Sequence, residues 1–356
     1  MTAPAPLVDR FGRVHRDLRI SLTDRCSLRC TYCMPAEGVP WLPGPTMLTT
    51  AELVRIASVG VRLGITEIRL TGGEPLLRPD VVDVVRRLSA LDGPAGPPEV
   101  SLTTNALRLP ALAGPLRDAG LARVNVSLDT LDRARFQALT RRDRLPQTLA
   151  GIAAADAVGL APIKLNAVVM RDVNEDDVVP LVRYALEHGY QMRFIEQMPL
   201  DAGHTWDRRR MVSQAEILDR LTAAYTLTEV HGRGSAPAEL WYVDGGPATV
   251  GVIASVSAPF CGACDRVRLT ADGQLRACLF ARSETDLRSI VRTDAMGAAG
   301  DAAGEADGAA HDADNDAVNA RLEAAFRACL ATKRPGHDID DPAFLQPDRP
   351  MSAIGG

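Results

Sequence analysis

No stretch of this chain approaches the roughly 18 consecutive apolar residues that a membrane-spanning helix needs, so the sequence reads as that of a soluble protein. Residues 1–20, MTAPAPLVDRFGRVHRDLRI, hold no apolar core of signal-peptide length and carry charge throughout; nothing in them marks export, and a cytoplasmic setting is expected. A broad basic surface is missing too. The formal charge is -5, but residues 293–318 alone hold seven Asp or Glu and no Lys or Arg, and outside them 40 basic residues face 38 acidic ones. That balance speaks against nucleic acid and leaves room for one local basic cluster. The last scarcity is of ligands to complete a metal site. Seven cysteines stand at 26, 30, 33, 261, 264, 278 and 329, two triplets and one straggler, and neither triplet has a fourth partner beside it. Cytosolic thiols stay reduced, so this uneven distribution points to metal or redox chemistry and away from disulfides.

What is present is a regular alternation. The 356 residues suffice for one large α/β domain with an appendage, or for two domains. Between residues 17 and 199, short β-type runs alternate with helical patterns, the order of a parallel sheet or barrel. Six strands are predicted, at 17–23, 67–71, 99–104, 123–129, 163–170 and 192–198. Helices are predicted between them, among them 49–64 with a Thr cap, 78–91, and 174–189 running from an Asn cap to a Gly stop. The expected fold is α/β: a partial TIM barrel, (β/α)6, over residues 1–200, with a C-terminal extension over 201–356. Unusual polar stretches (TGGEP, TTN, SLDT, QMPLD) follow the strands, and in parallel barrels the carboxyl ends of the strands share the face that holds the site. The acidic segment 293–318 lacks aromatic residues and apolar period and is expected to be a disordered insertion; helical periodicity resumes at 319–334.

Cys26-x3-Cys30-x2-Cys33 supplies three soft ligands. A structural zinc site closes with four, and so does a 4Fe-4S cluster held by protein alone; a cluster held by three cysteines leaves one iron open. This spacing after a first strand, with Tyr32 just before the third Cys, resembles the radical S-adenosylmethionine enzymes. The resemblance implies that the open iron binds the amino and carboxylate groups of S-adenosylmethionine, and that one electron from the cluster releases a 5′-deoxyadenosyl radical. Paired glycines let backbone approach a ligand closely and Glu74 can accept a bond from an ammonium group. The resemblance places Gly73 and Glu74 along the methionyl amino group, and Ser127 and Met198 beside the ribose and adenine. Core packing is the competing reading of Met198.

The second triplet is Cys261-x2-Cys264-x13-Cys278. Cys329 could complete a four-Cys zinc site, but it falls on what reads as the apolar face of a helix, where a buried inert thiol is the commoner finding. With both triplets in place, the sequence is similar to the GTP 3′,8-cyclase family of molybdenum cofactor biosynthesis over nearly the whole chain apart from 293–318. Two clusters, a partial barrel and a terminal Gly355-Gly356 make up the shared pattern. The resemblance implies a lyase with two 4Fe-4S clusters and S-adenosylmethionine. Its radical would take hydrogen from ribose C3′ of GTP to form 3′,8-cyclo-7,8-dihydroguanosine 5′-triphosphate. It implies further that the open iron of the second cluster, carried by the extension, faces the guanine, and that the two terminal glycines thread into the site. An electron donor and a downstream cyclic pyranopterin monophosphate synthase come with it as partners, and a homodimer is compatible with it.

Arg19, Arg69, Lys164 and Arg193 fall on predicted strands, where unpaired charge is costly to bury. They call for an anion, and the planar Arg fork suits a triphosphate. The resemblance carries GTP contacts onto Arg19, Arg69, Thr103, Lys164, Arg266, Val267 and Arg268, and Arg193 joins them by position. Glu67 departs from the family pattern, where a Lys is usual. Two other functions stay open at this point: a peptide-modifying radical S-adenosylmethionine enzyme with an auxiliary cluster, and a zinc-stabilised binding module.

Overall fold

Residues 4–298 and 308–355 are described by the computed structural model. The predicted alternation is present: β1 (Asp17–Ser21), α1 (Thr50–Arg62), β2 (Glu67–Thr71), α2 (Val81–Ser89), β3 (Glu99–Thr104), α3 (Leu109–Asp118), β4 (Arg123–Ser127), α4 (Arg133–Thr140), α5 (Leu145–Ala157), β5 (Lys164–Val169), α6 (Val178–His188) and β6 (Gln191–Glu196). The remainder forms α7 (Gln214–Thr222), β7 (Leu227–Val230), β8 (Glu239–Val243), β9 (Thr249–Ile253), β10 (Arg266–Leu269), β11 (Gln274–Arg276), β12 (Thr285–Asp286), α8 (Arg288–Ala298), α9 (Gly308–Ala331) and α10 (Met351–Ile354). Helix starts follow local chemistry. Thr49 caps α1 in a capping box with Glu52, and Gly189, at φ +70, ends α6. Asn174 does not cap as expected. Its buried amide instead accepts from Met170 N and donates to Asp129 O and Val168 O, joining the ends of β4 and β5.

The sheet is longer than the six strands read from the sequence. Its order is β12-β11-β10-β1-β2-β3-β4-β5-β6-β9-β8-β7, and the eight strands from β10 to β9 are all parallel. The extension therefore does not stand apart: it adds a parallel strand to each end of the row, and its Val252, Val267, Leu275 and Phe326 belong to the same apolar core as Leu18, Ile68 and Leu102. β9 was hidden in a Gly-rich run that blurs its apolar pattern, and β10, only four residues long, behind the second Cys group.

Alternation along the strands sorts the side chains into two faces. In β1, Leu18 and Ile20 enter the apolar core, while Asp17, Arg19 and Ser21 point the other way; β10 repeats this, with Val267 and Leu269 in the core and Arg266 and Arg268 opposite. The ends of segment 293–318 are helical, continuing α8 to Ala298 and opening α9 at Gly308, which corrects the expected disordered insertion for those parts. Alanine, the best helix former, dominates there, and Val318, Leu322 and Phe326 anchor α9 in the core. The rest of the expected insertion, 299–307, lies outside the described residues. Among the described residues, no helix is long and apolar enough to cross a membrane.

Candidate active site

The loop from β1 to α1 carries the first triplet at the carboxyl end of the sheet. Cys30 O accepts from the amides of Cys33 and Met34, which curls the three thiols onto one turn, and the end of α4 backs it: Leu139 O and Thr140 O accept from Thr31 N and Arg29 N. Arg141 then donates to Arg29 O (2.8 Å) and Met34 O (2.9 Å). Burial pushes Cys26 up to about 11 and Cys33 up to about 12, and each thiol feels the charge of its neighbours. Three half-buried, mutually interacting sulfurs on one rigid loop beside a cavity fit a cubane cluster, in which each thiolate has its own iron. Among the described residues no three His, Cys, Asp or Glu side chains are grouped to hold a single metal ion, the arrangement zinc requires.

The cavity occupies about 260 Å3, and Cys26, Cys30, Cys33, Arg19, Arg69 and Arg268 all line it. Tyr32, Gly73, Glu74, Thr103, Ser127, Met198, Arg193 and Arg266 line it as well, so nearly all the residues singled out from the sequence converge. The second triplet and Gly355 are not part of this lining, and three further residues qualify differently. Val267 has its side chain buried in the apolar core, which leaves its backbone, between the cavity-lining Arg266 and Arg268, as the part that faces the site. Lys164 does not line the cavity; burial, with Arg193, Arg123 and Arg69 nearby, lowers its ammonium to about 8. Gly356 lies outside the described residues.

TGGEP lines the cavity and also joins two loops. A Cβ on Gly72 would strike Thr23 O and one on Gly73 would strike Arg25 O and Asp24 O, so these glycines let the β2 loop lie directly on the cysteine loop. Gly73 N and Glu74 N donate to Thr23 O (2.8 Å) and Arg25 O (2.7 Å). Glu74 is 1% exposed and already accepts from Leu76 N (3.0 Å), Thr104 Oγ1 (2.7 Å) and Asn105 N (2.8 Å). A carboxylate offers about four acceptor positions, so one remains for a ligand. Met198 lines the cavity and also packs on a small apolar group with Met211, Val256 and Ile339, which joins both of its readings.

Asp129 went unnoticed in the sequence, although it follows Ser127 within SLD. It is buried, accepts from Tyr32 Oη (2.8 Å) and Val168 N (2.9 Å), and desolvation raises its carboxyl to about 6. Asn105 donates to Ser27 Oγ (3.1 Å), and its Nδ2 lies 3.9 Å from Cys26 Sγ. Asn125 has both amide atoms buried without a partner and lines the cavity.

Five of the arginines and lysines at this site are each at most 9% exposed: Arg19, Arg69, Arg193, Arg266 and Arg268. Asp17 is the carboxylate set among them, 3.6 Å from Arg19 and 3.5 Å from Arg266, and burial with mutual repulsion lowers Arg193 to about 9 and Arg268 to about 10. Arg19 Nε and Arg266 Nε remain without a hydrogen bond. Glu67, at the foot of β2, pairs with Arg123 (3.6 Å), which also binds Glu99 (2.7 Å). Arg268 donates to Gly355 O, bringing the chain end over the site; Gly355 has φ +70, and a Cβ there would strike Thr71 Oγ1 and Ser21 Oγ.

The second triplet borders a smaller, adjoining cavity of about 70 Å3 that shares Met198, Phe260, Arg266 and Arg268 with the first. Cys264 Sγ lies 3.6 Å from Arg266 Nη1 and 3.7 Å from Lys333 Nζ; these cations outweigh its burial and lower its pKa, favouring a thiolate ligand. Among the described residues, His337 and Cys329 are the nearby groups that could add a fourth ligand, and neither is free to do so. Both ring nitrogens of His337 are engaged, with Ser255 O and Ile339 N, and Cys329 is packed in the core on α9.

Residues 20–185 match the Radical SAM superfamily and residues 190–306 match Molybdenum Cofactor Synthesis C. The crystal structure of Streptococcus suis SuiB bound to S-adenosylmethionine superimposes with a TM-score of 0.55 at 15% identity, over 79% of this chain and 63% of that one, a likeness of fold. Fold and thiol loop thus define a radical S-adenosylmethionine enzyme with a mostly parallel α/β sheet. A GTP 3′,8-cyclase from Mycobacterium sp. strain KMS is 55% identical over 100% of this chain and 95% of its own length. One from Mycolicibacterium smegmatis is 54% identical (99% and 93%), and one from Streptomyces coelicolor is 53% identical (98% and 96%). The chain belongs to the GTP 3′,8-cyclase family, whose members use two 4Fe-4S clusters and S-adenosylmethionine.

Proposed function

We propose that the chain converts GTP to 3′,8-cyclo-7,8-dihydroguanosine 5′-triphosphate, with Cys26, Cys30 and Cys33 holding one 4Fe-4S cluster and Cys261, Cys264 and Cys278 holding the other. The observation that carries this reading is the set of five buried arginines lining the cavity, four of which share Asp17: a surplus of desolvated cations is stable only beside a polyanion, and a triphosphate supplies one. When bound, the first cluster and S-adenosylmethionine supply the radical that removes hydrogen from ribose C3′, which is followed by bond formation to guanine C8. The chain's own residues orient the substrate. Arg19, Arg69, Arg193 and Arg268 face the phosphates, Thr103 and Asn125 line the same cavity, and Phe260 with the second cavity bounds the guanine side. Tyr32 and Ser127 flank the S-adenosylmethionine side, with the β2 loop holding the cysteine turn in place. Water is excluded by the α10 turn and Gly355, which close over Ser21 and Thr71. An electron donor, a synthase that consumes the product and a second copy of the chain are the partners this reading carries.

Anaerobically reconstituted protein, given GTP, S-adenosylmethionine and a reductant, is expected to form 5′-deoxyadenosine and the cyclised nucleotide together, with about eight irons per chain. Loaded protein that forms 5′-deoxyadenosine but neither binds GTP nor cyclises it points to a different radical enzyme, and a single zinc in place of iron ends the reading.

A further inference from the structure

The two cysteine sets sit in opposite electrostatic surroundings. The carboxylates facing the first are Glu74 toward Cys26, Asp129 toward Cys30 and Asp201 toward Cys33, with Arg29 the cation acting on Cys26. The charged side chains acting on Cys264 are all cations: Lys333, Arg266 and Arg268. Lys333 is the unusual member. It follows α9 and is 3% exposed. Its Nζ donates to Arg266 O (2.6 Å) and lies 3.7 Å from Cys264 Sγ. The other groups that act on it are Cys278, Arg13 and Arg266, and among the described residues no carboxylate lies within ion-pair distance of Nζ. Arg13 already serves Asp9 (2.6 Å), Cys261 O (2.6 Å) and Arg334 O (2.9 Å), and buried His15 leans on the same Asp9 (3.2 Å).

A buried ammonium without an anion costs several kcal/mol, so such a group persists only where a negative charge completes it. Thiolates ligating iron carry that charge, and Asp9 and Asp17, the carboxylates nearby, are engaged with Arg13, His15, Arg19 and Arg266. Hydrogen bonds and positive charge at cluster sulfurs favour the reduced, more negative state and so raise a reduction potential. We infer that Lys333 is the charge partner of the second cluster, and that it raises that cluster's reduction potential. This rests on the assignment of Cys261, Cys264 and Cys278 as a cluster site. Lys333 acts through the sulfurs and is a positioning residue: the Arg266 carbonyl fixes its ammonium, and Arg266 itself reaches back to Cys264, so the two cations brace one ligand from both sides.

The test uses the full chain carrying Cys26→Ala, Cys30→Ala and Cys33→Ala, reconstituted so that the second cluster is measured alone by redox titration with electron paramagnetic resonance. That background is expected to hold about four irons; an iron-free background overturns the cluster assignment itself. With iron confirmed, Lys333→Met is expected to lower the midpoint potential by at least the tenfold change in equilibrium constant that about 59 mV represents for one electron, and Lys333→Arg to restore it. An unchanged potential in Lys333→Met overturns the inference. Should that variant lose its cluster, Lys333→Gln takes its place under the same criterion. Loss from both neutral variants with retention in Lys333→Arg supports charge pairing; loss from all three overturns it, since the site would then need lysine's shape and not its charge.

Discussion

Asp17 stands where four guanidinium groups meet, and its carboxyl is held below the usual range by Arg19, Arg69, Arg266 and Arg268 against the pull of burial. Its ion pairs are long, 3.6 and 3.5 Å, and leave Arg19 Nε and Arg266 Nε unbonded, so the cations are gathered but not satisfied. Asp17→Asn removes the internal counter-charge. The protein without GTP is expected to lose about 3 kcal/mol or more of stability, the usual cost of stripping one partner from a buried pair. Added GTP should then raise the melting temperature of the variant by more than it raises that of the parent, and equal shifts would argue against a shared anion site. Asp129 carries the opposite perturbation. Its folded pKa is raised from 3.8 to about 6 by burial, so the folded chain binds the proton more tightly than the unfolded one. The stability this contributes is complete below pH 3.8 and disappears as pH rises through about 6. Asp129→Asn keeps an acceptor for Val168 N and carries no charge to bury. Relative to the parent, it is expected to gain stability between pH 4 and pH 7, by up to about 3 kcal/mol. A stability difference that does not change with pH would show that Asp129 is ionised in both states.

The loop after β2 and the loop after β1 form one unit, and that union was only half legible. The glycine pair in TGGEP announced a close approach, but a sequence does not say to what; the structure answers with the carbonyls of Thr23, Asp24 and Arg25. Glu74 was readable as an acceptor, yet its partners Leu76, Thr104 and Asn105 come partly from another strand, a non-local pairing that no periodicity reveals. The six strands were plain because each alternates or runs apolar for five or six residues between turn signals. Gly73→Ala tests the union: its new methyl group has only backbone to displace. The cysteine turn is expected to shift and lose its metal, so that the first cluster's iron falls by more than half while the second triplet keeps about four irons. Full iron retention would show that the two loops can separate freely.

At the scale of the whole molecule, the eight parallel strands bring the last third of the chain back beside the first strand, and this placed Arg266 and Arg268 level with Asp17 and Arg19. The pairing joins residues some 250 positions apart in sequence. No local signal encodes it, which is why the cysteines and arginines were legible as a set while their strand, β10, was not. The same closure explains the chain end. Gly355 reaches the ends of β1 and β2, where Arg268 donates to its carbonyl, and the chain end thereby supplies a hydrogen-bond acceptor to a buried guanidinium that lies beside Arg266, Asp17 and the second triplet. Gly355→Val meets two obstacles, the left-handed φ and the hydroxyls of Ser21 and Thr71. The cysteine loop meets the chain end through the Ser352 backbone, which bonds Cys33 from within α10, and not through Gly355, so iron content should remain at about eight per chain. Displacing the tail leaves Arg268 unfixed beside the phosphates and opens the cavity to water. Formation of the cyclised nucleotide is expected to fall at least tenfold, a loss of about 1.4 kcal/mol in transition-state stabilisation. Product formed at the parent rate, with the iron intact, would mean that the tail merely rests on the site and that Arg268 is oriented by the sheet alone.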